Sequence, residues 1–140
     1  MNFPFVRVCG RHNFFPPYYT RIQCSAKQGQ VGTMTSVLLY SNYTHKVYSE
    51  SLQIHNLLCP VEAEWAALLH GIQLARRRSD HCIAMESDHP LILGLMVPGT
   101  NYQGSSNYFK RRSLDLMQSF DWVGARLITP AENNSRSLLT

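Results

Sequence analysis

The chain of 140 residues has no acidic residue before Glu50, no two cysteines in a Cys-x-x-Cys pair, and no apolar run near the roughly 20 residues of a membrane-crossing helix. The last absence excludes a helical membrane anchor and leads to the expectation of an intracellular protein, cytoplasmic by default. Cys9, Cys24, Cys59 and Cys82 lie far apart, which removes zinc and dithiol signatures and leaves them as small hydrophobes in a reducing compartment. Charged residues are only 16% against 44% hydrophobic, so a disordered polar chain is excluded and a single packed domain is expected. Internal repeats and low-complexity tracts are also missing.

What charge there is leans one way. Lys and Arg number 13 against 9 Asp and Glu, a formal net charge of +4, which suits an anionic partner without demanding one. Arg7, Arg11, Arg21, Lys27 and Lys46 all fall in the acid-free start. Such a start can be an organelle-targeting segment, but Pro4, Pro16 and Pro17 do not suit the amphipathic helix such segments form. Residues 1–17 therefore read as an irregular lead-in or a targeting segment, and residues 18–140 as the domain. Phe14, Phe15, Tyr18 and Tyr19 suit docking of that lead-in better than stacking on bases.

From Tyr18 the pattern is that of three strands, about 18–25, 33–41 and 45–54, joined by short turns into an antiparallel meander. The period then changes. Pro60 opens a helix and Arg76, Arg77 and Arg78 close it, with Leu68, Ile72 and Ala75 one turn apart on its apolar side. Glu64 lies one turn before Leu68 and so faces the same side, whereas Glu62 is expected in solvent. His81 to Ser87 reads as a buried strand, Leu91 to Met96 as a brief helix, 99–107 as a loop, Tyr108 to Phe120 as a helix and Trp122 to Ile128 as a last strand. Three antiparallel strands followed by helix-linked strands predict an α/β domain with a mixed five-stranded sheet flanked by helices.

Ala63-Glu64-Trp65, Ala67-Leu68, Gly71 and Ala75 on the helix, followed by Glu86-Ser87-Asp88 at a strand end, resemble the centre of ribonuclease H type 1 domains of the reverse-transcriptase-like branch. The resemblance implies a ribonuclease H-like fold over about residues 18–140. It also implies hydrolysis of RNA in RNA:DNA hybrids by water activated at two divalent ions about 3.5–4 Å apart. Hard Mg²⁺ or Mn²⁺ takes oxygen ligands, so four carboxylates from separate elements must converge. Glu64 and Asp88 carry over as catalytic and metal-binding residues. The family's first-strand Asp-Gly-Ser falls on Gln23-Cys24-Ser25. Its C-terminal Arg-x-x-Asn-x-x-Ala-Asp-x-Leu-Ala falls on residues 130–140, where Asn133 and Leu139 match and Ser137 stands in place of the aspartate.

Gln23 and Ser137 are thus degenerate catalytic positions, and two carboxylates leave two cations under-neutralised. Glu132 is the candidate third metal ligand, Glu86 is expected to be structural, and Glu50 has no family position. On this alignment, restoring Gln23→Asp and Ser137→Asp is expected to raise metal affinity and cleavage. Asp88 also suits a helix N-cap ahead of Pro90, and His89 a solvated turn. Arg76, Arg77, Arg78, Lys110, Arg111 and Arg112 are candidate phosphate contacts, or solvated helix faces. Three functional readings stay open: a nuclease of impaired activity, a non-catalytic nucleic-acid-binding module of the same fold, and a degenerate gene copy.

Overall fold

The structure, a computed structural model, describes residues 4–97 and 107–139. Its strands are β1 (Val6–Cys9), β2 (Thr20–Gly29), β3 (Gly32–Ser41), β4 (Val47–Ile54), β5 (Cys82–Ser87) and β6 (Trp122–Leu127). Its helices are α1 (Pro60–Arg77), α2 (Leu91–Met96) and α3 (Tyr108–Met117), followed by 3-10 turns at Pro130–Glu132 and Asn134–Leu139. Apart from Asn107, the loop expected over 99–107 lies outside the described residues.

β2, β3 and β4 form the predicted meander, and β2 pairs with β3 along its whole length, closing on Gly29 opposite Gly32. Gly32 turns that hairpin at φ +137, where a Cβ would lie 2.1 Å from the Ile54 carbonyl oxygen. α1 then carries the chain back, so that β5 pairs parallel to β2, and β6 adds parallel to β5. The sheet order is β1-β6-β5-β2-β3-β4. It holds six strands where the pattern predicts five: the lead-in expected to be irregular supplies β1, antiparallel to β6. Edge pairing needs little hydrophobic alternation, because Phe5 does the docking, buried against Ala84 and Trp122.

α1 begins as the sequence predicts. Pro60 supplies the first helical position, and the Glu62 carboxylate reaches back to accept from the Cys59 N–H at 3.3 Å, so it caps the helix as well as facing outward. Its apolar side packs on one face of the sheet. There Leu68, Ile72 and Ala75 meet Ile22, Val37, Ile83 and Met85, with Leu114 and Met117 of α3 alongside. All four cysteines are free thiols, with Cys24 buried, Cys9 and Cys82 half-buried and Cys59 exposed.

Candidate acidic site at the end of the parallel strand pair

β2 and β5 run side by side from Thr20 opposite Ile83 to Gln23 opposite Glu86. Beyond those partners the chain leaves in opposite directions, from β2 into β3 and β4, from β5 through two helices to β6. The crevice beyond the carboxyl ends of such a pair is a topological switch point, the usual place for a ligand on an open α/β sheet. Glu64 reaches it from α1, and Asp88 from the residue after β5.

The two acids act on each other there. Burial, the charge of Asp88 and the opposing charge of Arg136 set the Glu64 carboxyl, which is pushed up to about 7. Cys24, buried on the core face of β2, feels both acids, and burial together with their charge pushes its thiol up. It is therefore a neutral thiol, a poor ligand for a hard cation.

Arg136 faces the pair. Its Nη2 donates to Asp88 Oδ1 at 2.9 Å, and its Nε donates to Asp88 Oδ2, the two-pronged geometry that binds a carboxylate most strongly. The Asp88 side chain is only 2% exposed in this contact. Asp88 therefore does not cap α2 as the sequence suggests. Instead the His89 ring, half-buried, accepts from the Leu91 N–H at 3.1 Å.

Gln23 lies on the opposite face of the sheet from Ile22 and Cys24, as strand alternation requires. Its Nε2 donates to Glu86 Oε1 and to the Glu132 carbonyl, both at 3.1 Å, and its Oε1 accepts from the Asn134 N–H at 2.9 Å. Glu86, fully buried, is structural: Gln23, Arg21 at 3.0 Å and Arg126 enclose it. The Glu132 carboxylate is occupied by the Thr129 N–H and hydroxyl, both at 2.9 Å, and these bonds hold it below the usual carboxylate range. Ser137 is exposed and donates to the Asn134 carbonyl at 2.9 Å.

Among the described residues no three His, Cys, Asp or Glu side chains come together as a metal site. The structure thus does not bring Glu132 to the acidic pair. Two carboxylates, a neutral thiol and a guanidinium do not fit a two-ion centre. Arg136 was the residue that sequence reasoning passed over. The signal was there: a cation at the alanine of the C-terminal pattern, beside the empty aspartate position.

The basic clusters divide. Lys110 of α3 sits 5.8 Å from the centre of the Trp65 ring, next in sequence to Glu64, and Arg111 and Arg112 are exposed beyond it. Arg76, Arg77 and Arg78 lie about 18 Å further along α1, at 1.5 Å per residue. There Arg77 pairs with Glu50 at 3.0 Å, and Arg78 lies 4.4 Å from the Tyr48 ring centre. Glu50, without a family position, belongs to a structural network: the buried His70 ring joins Thr35 at 2.7 Å and Glu50 at 2.8 Å.

A mixed sheet in this order, with α1 and α3 on one face and acids at the β2–β5 end, is the ribonuclease H-type α/β fold. The N-terminal ribonuclease H domain of a Mycobacterium tuberculosis protein superposes with a TM-score of 0.69 at 15% identity, covering 82% of this chain and 85% of that one. Ribonuclease H1 of the halophilic archaeon Halobacterium salinarum gives 0.64 at 15% identity, with 84% and 89% covered. LC11-ribonuclease H1, solved in complex with an RNA/DNA hybrid, gives 0.61 at 14% identity, with 88% and 99% covered. No curated protein sequence matches. The family model described as reverse transcriptase-like matches residues 22–137, and the chain belongs to that family.

Proposed function

We propose that the chain is a ribonuclease H-fold protein that binds nucleic acid duplexes of the RNA:DNA hybrid kind and has lost effective hydrolysis. The observation that carries this reading is the bidentate hold of Arg136 on Asp88, which leaves Glu64, among the described residues, as the one acid beside it. Cleavage in the family's manner needs Mg²⁺ or Mn²⁺ between converging carboxylates, and this donor set does not fit that requirement. Binding requires less. Lys110, Arg111 and Arg112 stand on α3, with Lys110 near the Glu64 end of α1, and suit phosphate contacts, while Arg77 is already committed to Glu50. Support for the substrate class comes from the family and from the neighbour that carries a hybrid.

Fluorescence anisotropy of a labelled RNA:DNA hybrid, titrated at several salt concentrations, tests the reading alongside a cleavage assay in Mg²⁺ and in Mn²⁺. Affinity should fall steeply with salt, and replacing Lys110, Arg111 and Arg112 with alanine should flatten the log–log slope by about 1 per lost phosphate contact. No product should accumulate. Turnover abolished by Glu64→Gln would instead make the chain a working nuclease. Absence of both binding and cleavage would leave the degenerate-copy reading.

A further inference from the structure

We propose that Arg136 is the built-in cation of the Glu64–Asp88 site, a tethered guanidinium that excludes divalent ions, and that removing it turns the pair into a divalent-cation site. The inference deepens the reading above, because it says what closes the centre. It rests on how rigidly the C-terminal segment is held. Asn133 Nδ2 donates to the Cys24 carbonyl at 3.0 Å, and the Asn134 N–H donates to Gln23 Oε1 at 2.9 Å. The Ser135 and Ser25 hydroxyls are hydrogen-bonded at 2.9 Å, and the Ser36 hydroxyl donates to the Ser135 carbonyl at 2.7 Å. Ser25, Ser36, Asn133 and Ser135 are all buried.

Three consecutive residues before Arg136 are therefore bonded to β2 and β3, so its side chain starts from a fixed backbone and loses little further freedom in reaching Asp88. Every anchor lies on β2 or β3, and Gln23, the last β2 residue paired with β5, is one of them. The residues filling the family's metal-binding positions have changed trade together: Gln23 clamps the segment, and the segment aims a cation. Both Asp88 oxygens already accept from that cation. A divalent ion would have to sit within a few ångströms of a fixed positive charge and share those oxygens with it.

Mn²⁺ titration of the full chain, followed by the free-Mn²⁺ electron paramagnetic resonance signal without nucleic acid, tests this. The wild type should show no saturable binding below the millimolar range. Arg136→Ala should bind Mn²⁺ at least tenfold more tightly, and Asp88→Asn in that background should remove the gain. Arg136→Lys, which keeps the charge, should stay metal-free. Mn²⁺ should raise the thermal midpoint of Arg136→Ala and leave the wild type unmoved. Wild-type binding as tight as that of Arg136→Ala overturns the proposal, as does a folded Arg136→Ala with no gain. If Arg136→Ala does not fold, Arg136→Met keeps the apolar stem and takes its place, and saturable wild-type binding lost in Asp88→Asn is decisive against. Hybrid binding is measured separately in metal-free buffer, so failure here and failure of the duplex reading are told apart.

Discussion

The Gln23 carboxamide donates to Glu86 and to the Glu132 carbonyl while accepting from the Asn134 N–H. A carboxylate offers acceptors only, so Gln23→Asp would lose both donated bonds and set a second negative charge against a fully buried one. We expect Gln23→Asp to destabilise the protein by about 2–4 kcal/mol, read as a lower urea midpoint at unchanged slope. Mn²⁺ affinity should stay where it is. The alignment alone leads to the opposite expectation, a gain in metal binding. It places Gln23 on a strand, and the structure has it on β2. What it lacks is the face: the charge of both acids bears on Cys24 on one side of the strand, and Gln23 points to the other. Ser137 is a similar case, since the side chain that reaches the acids is that of its neighbour Arg136.

Among the elements, α1 was the most legible, because its proline start, its apolar stripe and its arginine end are local signals that packing then reinforced. One of its residues records something the pattern cannot. Gly71 lies where a Cβ would meet the Ile22 side chain at 2.7 Å, so the helix rides unusually close to β2. Ile22 is fully buried and its β-branched methyl has nowhere to turn. Gly71→Ala gains about 1 kcal/mol of helix propensity and incurs about 1–3 kcal/mol of overpacking. The net expectation is a destabilised protein, measurable by thermal or urea denaturation. A stabilised variant would show that the helix can lift without consequence. β1 was the element that sequence reading missed. Four residues on an edge carry too little periodicity to be seen, and their place is set by Phe5 finding Trp122 and by a register along β6.

For the molecule as a whole, two titrating groups, one half-buried and one buried, pull stability in opposite directions. Glu64 is held up to about 7, by burial first and by Asp88 second, with Arg136 opposing. The folded chain therefore keeps a proton that the unfolded chain loses near pH 4.5, and stability falls as pH rises from about 4.5 to about 7. His70 is held below its ordinary value, by burial first, with Glu50 opposing and Arg77 adding to the depression. The unfolded chain then takes up a proton first, and stability falls as pH drops below about 6.5. Glu64→Gln removes only the first slope. Allowing for solvent screening at a half-buried site, it should stabilise the protein by about 1 kcal/mol at pH 8, a rise of about 3 °C in Tm. That difference should vanish by about pH 3.5, where the carboxyl is protonated in both states. Equal shifts at both pH values would show that the carboxyl is not held protonated by its surroundings.

Among the described residues no helix is long and apolar enough to cross a membrane. Periodicity, capping and turn residues act over a few positions, so the amino-acid sequence by itself determined the meander, the long helix, the parallel returns and the family to which they belong. It also determined that Glu64 and Asp88 would approach each other, since both hang on elements whose order dictates where they end. Which side chain stands between them was decided only in three dimensions. Arg136 and Asp88 are 48 positions apart, and their contact depends on buried hydroxyls and amides locking a short C-terminal turn onto β2 and β3. Such bonds form between surfaces that exist only once the sheet has closed.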